Sequence, residues 1–95
     1  MQQLRADVPR RIELDGEYGF GQKEQVAARF RAIRADGPII IDLTKVTHID
    51  SSFLNELAAL RLRFMEQSIT LTGANANVKR ILKLAKFERY FAFAD

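Results

Sequence analysis

Ser51 and Ser52 stand directly after Asp50 and directly before an apolar run that opens with Phe53 and Leu54. Two chemistries fit that order. Asp and Ser are preferred helix N-caps, because a side-chain oxygen accepts from a backbone N–H that has no partner within the helix, a contribution of about 1 kcal/mol. Asp50 and Ser51 both qualify, which leaves Ser52 redundant for capping. The other chemistry is covalent. A phosphorylated Ser51 would carry a charge of about −1.5 to −2 and three acceptor oxygens, and a helix N-terminus accommodates such an anion through its N–H groups and macrodipole. The domain would stay folded while its surface changed charge, and a partner offering carboxylates or a close apolar wall would be repelled. A hundredfold loss of affinity needs only about 2.7 kcal/mol.

Other reactive arrangements are poorly supplied. His48 lies three residues before Ser51 and is conceivable as a base, yet no G-x-S-x-G pattern offers an oxyanion hole, so hydrolysis is not expected. Gly16, Gly19 and Gly21 fall where a nucleotide loop would sit, but their spacing is not G-x-G-x-x-G and no P-loop lysine follows. They read as turn residues. The chain has no cysteine and one histidine, which removes disulfides and thiolate metal sites and leaves zinc a poor prospect. No cofactor, no metal and no enzymatic activity are expected. Lys79, Lys83 and Lys86, with Arg80 beside them, share one face of a helical pattern, either a solvated face or a patch for an acidic partner or anionic surface.

The elements that must hold the serines follow from periodicity. Residues 11–15 alternate polar and apolar as a half-buried strand does. Val26, Phe30 and Ile33 form one stripe of a helix over about 22–34, ended by Asp36-Gly37-Pro38. Ile39-Ile40-Ile41-Asp42-Leu43 is apolar without alternation, which suits a central strand beside a parallel neighbour. A second helix spans roughly 52–67, where Phe53, Leu57, Leu60 and Phe64 make one stripe and Leu54, Ala58 and Met65 a second, with Arg61 between them. One stripe can pack on the sheet. The other either meets a neighbouring helix or remains at the surface as a contact strip. Residues 68–73 read as a strand closed by glycine, and Val78, Ile81, Leu82 and Ala85 as a third helix, whereas the last six residues are too short to assign. Alternating strands and helices predict an α/β domain whose strand ends and following helix starts share one edge, where functional groups of open sheets gather.

Composition sets the bounds. Ninety-five residues, 47% apolar and 28% charged, predict one globular domain, residues 1–95, with a modest core. A net charge of +3 is too small to argue for nucleic acid. No signal-peptide run and no membrane-length apolar segment is present, so a cytoplasmic protein without direct membrane insertion is expected.

The stretches PIIIDLTKVTHIDSSFLNEL and SITLTGANANVKRILKLAKFERYF together resemble the STAS domain of bacterial anti-sigma factor antagonists, over roughly residues 8 to 93. The resemblance implies a small mixed β-sheet with helices packed mainly on one face. It implies that Ser51, with Ser52 secondary, is the target of an anti-sigma factor acting as a serine kinase, and that a phosphatase reverses the modification. Unphosphorylated, such a protein binds the anti-sigma factor and so regulates transcription; phosphorylated, it releases it. Asp50, Phe53, Leu54 and Leu57 are the expected partner contacts, with Asp42 as the acidic residue that ends the central strand near the phosphorylation loop. Phe53 departs from the family, which has glycine there. Either the partner takes an aromatic anchor, or the chain docks without phosphorylation on another assembly such as an ABC transporter ATPase.

Overall fold

The computed structural model of the protein describes residues 10–18, 20–34 and 37–94. Its elements run β1 (Arg10–Tyr18), α1 (Lys23–Arg31), β2 (Ile39–Ile49), α2 (Ser51–Arg63), β3 (Ile69–Thr72), α3 (Ala76–Leu84) and β4 (Ala92–Ala94), with 3-10 turns at Phe20–Gln22 and Phe87–Arg89. The sheet order is β1-β2-β3-β4, and β1 with β2, β2 with β3 and β3 with β4 pair in parallel. This is the expected small α/β domain. An antiparallel member, which a mixed sheet requires, does not occur among the described strands.

Strands added in one direction through crossovers of the usual right hand place successive helices on the same face of the sheet. Burial agrees with that geometry. Ile39, Ile41 and Leu43 of β2, with Ile69 and Leu71 of β3, share one core with Phe30, Phe53, Leu57, Leu60, Val78 and Leu82 from the helices. The alternate residues Ile40, Thr70 and Thr72 are only half-buried, and Ala92 and Ala94 are exposed. Period-two side-chain alternation therefore separates a helix-covered face from an open one.

Several boundaries differ from the sequence reading, each for a local reason. β1 continues through Gly16 to Tyr18, because register shifts at Glu13/Asp15 and Gly16/Glu17 absorb a glycine at φ +93 as a bulge. Gly16 is therefore a strand residue, while Gly19 lies outside the described residues. β2 runs on to Ile49, since its second half, from Lys45 onward, pairs with β1 after β3 has ended. α2 stops at Arg63, four residues before the expected end, with Phe64 as its C-cap at φ −117 and ψ 61. The unassigned C-terminal residues form the 3-10 turn and β4, whose Phe93 lies opposite Leu71. Gly73 closes β3 at φ +77, and a Cβ there would overlap the Thr44 hydroxyl. Only glycine fits that crossing.

Candidate functional site at the start of α2

Ile49 is the last buried residue of β2, and the chain turns into α2 one residue later. Asp50 has extended backbone, φ −139 and ψ −168, as an N-cap must. Its Oδ1 accepts from the backbone N–H of Ser52 at 2.9 Å and of Phe53 at 3.4 Å, and its carbonyl accepts from Leu54 N–H at 3.1 Å. The choice left open between Asp50 and Ser51 is thus decided: the carboxylate caps, and neither hydroxyl is needed for it. Ser51 is the first helical residue and is exposed; Ser52 is half-buried.

A hydroxyl at that position can act as a nucleophile toward a phosphoryl group or donate to a partner without loosening the helix. A phosphate there would meet the positive end of the helix dipole on one side and the Asp50 carboxylate on the other.

Phe53 requires a correction. Its side chain is 1% exposed, and its ring tilts against Phe30 at a centroid distance of 6.3 Å. Leu57, expected beside it as a partner contact, is 0% exposed. Both belong to the inner stripe, because positions 53, 57 and 60 recur at i, i+4 and i+7 on the side that faces the sheet. They hold α2 down and offer nothing to a partner. Leu54, on the second stripe, is half-buried, and Ala58 is exposed, so the surface strip beside the serines consists of these two. Met65 is also exposed but lies past the helix end.

Asp42 is also corrected. It does not end β2 but sits in its first half opposite Glu13, and it is 8% exposed. A strand rises about 3.3 Å per residue, which carries Asp50 about 26 Å beyond it. Its Oδ1 accepts from Thr44 N–H at 2.9 Å and its Oδ2 from Arg11 Nη2 at 2.6 Å. Hydrogen bonds from the Thr44 side chain and backbone hold its carboxyl below the usual carboxylate range, with Arg11 adding to them and burial opposing. Asp42 is a sheet ion pair remote from the serines. His48 is exposed on β2 opposite Glu17, and among the described residues no group of three or more His, Cys, Asp or Glu could hold a metal.

One positioning residue escaped the sequence reading. Asn75 caps α3 by accepting from Val78 N–H at 2.8 Å, and its Nδ2 donates to the Val46 carbonyl at 3.3 Å. It ties the start of α3 to the overhanging end of β2 that carries the serines. An Asn three residues before the first apolar helical position is the signal that could have revealed it.

A small parallel α/β sheet with a capped, hydroxyl-bearing helix start at the end of its central strand defines the class of fold. The family model described as "Mlab, STAS domain" matches residues 1–92, and the chain belongs to the STAS domain family. No curated protein sequence matches it. Among solved structures it is similar to a sulfate transporter family protein from Wolinella succinogenes, with a TM-score of 0.77 and 16% identity over 92% of this chain and 76% of that one. It is also similar to a putative anti-sigma factor antagonist from Thermotoga maritima, with a TM-score of 0.75 and 20% identity over 90% of this chain and 79% of that one. At these identities the two structures bear on the fold. Among the described residues no helix is long and apolar enough to cross a membrane.

Proposed function

We propose that this chain is a bacterial, cytoplasmic, non-enzymatic regulator that binds a kinase-type anti-sigma factor through the start of α2 and is switched by phosphorylation of Ser51. The observation that carries this reading is the division of labour at the cap: Asp50 accepts from the Ser52 and Phe53 N–H groups, and the adjacent Ser51 is exposed. The inward ring of Phe53 supports it further, because the residue that replaces the family's glycine leaves the surface beside Ser51 open.

In the switching step the Ser51 oxygen attacks the γ-phosphorus of ATP held by the partner. The new O–P bond forms as the β–γ bridging bond breaks, ADP leaves, and a base of the kinase takes the hydroxyl proton. A phosphatase returns the serine by hydrolysis of the same ester. Ser52 is the secondary acceptor, and Leu54 with Asp50 borders the contact.

A second reading is docking without phosphorylation on a transporter ATPase. The likeness to a sulfate transporter family protein and the half-buried Leu54 favour it. Purification of the chain from its native cells, phosphopeptide mass spectrometry and partner capture with variants separate the two. Phosphate on Ser51, with a loss of partner affinity of about a hundredfold in Ser51→Asp, is expected. Unmodified serines, unchanged binding by Ser51→Asp and weakened binding by Leu54→Glu would select the second reading instead.

A further inference from the structure

The positive charge of this chain is concentrated. Residues 74–86 hold four of its 15 Lys and Arg and none of its 12 Asp and Glu, so the rest of the chain carries eleven basic against twelve acidic residues. The whole excess of charge therefore belongs to α3 and the residue pair that follows it.

α3 also divides sharply by face. Val78 and Leu82 are buried and Ile81 packs against the core, which uses the apolar side of the helix. At 100° per residue, Lys79, Lys83, Ala76, Arg80 and Leu84 fall on the opposite arc. Together with Ala74 they line one shallow depression. Arg80 donates to Asn77 Oδ1 at 2.7 Å, an interaction along its own helix that keeps its full charge, and Leu84 is 71% exposed. A large aliphatic side chain at the edge of a cationic arc is an apolar seat with ionic flanks.

We infer that the outward face of α3 is a second docking surface, separate from Ser51, and that it takes an acidic amphipathic helix of a partner protein. The match is one of charge and spacing. Carboxylates three or four residues apart on the incoming helix meet Arg80 and Lys83, or Lys79 and Lys83, and an aliphatic residue between them covers Leu84 and Ala76. A lipid surface fits less well, because a helix lying in a bilayer interface immerses its apolar face, and that of α3 is committed to the core. Nucleic acid fits less well too, since the basic face spans a helix of only about 14 Å and the remainder of the chain is slightly acidic.

The test titrates the isotopically labelled full chain with a helical peptide built from Glu and Ala around a single Leu, followed by amide NMR shifts. Shifts confined to residues 76–86, and weaker binding as salt rises, are expected. Reversing charge in Arg80→Glu/Lys83→Glu should lower affinity at least about tenfold, neutralising it in Arg80→Gln/Lys83→Gln should lower it less, and Leu84→Ser should lower it about threefold. All three variants should keep the wild-type melting transition. Ser51→Asp should bind the peptide as wild type does, so this result is independent of the switch. Shifts elsewhere on the molecule, unchanged affinity in the charge-reversed variant, or tighter binding to phosphatidylglycerol vesicles or a DNA duplex at the same ionic strength would overturn the inference.

Discussion

At its first turn α2 is closed by a neighbour in sequence, Asp50, whose carboxylate accepts from Ser52 and Phe53 N–H. At its last turn, where Phe64 N–H closes on the Leu60 carbonyl, two long side chains reach out to carbonyls beyond the helix. Arg61 donates to the carbonyls of Phe64, Gln67 and Tyr90, and Arg63 to those of Phe30, in the last turn of α1, and Ile33, just past it. Cations at helix C-termini satisfy orphan carbonyls and oppose the negative end of the dipole. The two ends thus differ in reach. One is self-contained and presents an exposed serine without drawing on the rest of the domain. The other joins α1, α2 and the turn before β4, and cannot change alone.

That contrast is open to attack, beginning where the expected effect is largest. Phe53→Ala should cost about 3–5 kcal/mol in chemical denaturation, because it opens a cavity against Phe30. A loss of partner binding in a fully folded Phe53→Ala protein would instead make the ring a contact residue and break the assignment. Arg61→Met should cost about 2–3 kcal/mol, since several carbonyls lose one donor together; a cost below 0.5 kcal/mol would remove the distinction between the ends. Asp50→Ala should cost about 1 kcal/mol, the usual value of a lost N-cap, and Ser51→Ala should stay within about 0.5 kcal/mol by the same measurement.

The smallest effect is a dependence of stability on pH that appears only in acid. The carboxyl of Asp42 lies below its ordinary value in the folded chain, so the unfolded chain takes up that proton first. Its contribution is complete above the unfolded value near 3.9 and is lost as pH falls through the lower folded value. Stability of the wild type should therefore decline with acid below about pH 5, and Asp42→Asn should flatten that slope. The Arg11 side chain is half exposed, which keeps the effect modest.

Much of the fold is legible in the sequence, for physical reasons. The inner stripe of α2 and the core strand at 39–43 depend on local periodicity, which a sequence displays directly. Phe53 stands beside Ser51 in sequence but not in space: its i, i+4, i+7 spacing with Leu57 and Leu60 turns the ring inward. β4 was illegible because three residues have no period of their own; Ala92–Ala94 is a strand only because β3 offers an edge. Arg61 and Arg63 are illegible because most of their acceptors are carbonyls of other segments that only the tertiary fold brings beside them.

The strand order has a kinetic side. Each new strand joins the one made just before it, so every loop to be closed is a single crossover, and the entropy of closure never spans the whole chain. Such a chain can assemble in the order of its synthesis, from β1 towards β4, each step laying down the template for the next. Ser51 would then reach its exposed position once the first two crossovers have packed, before α3 and its cations have taken theirs.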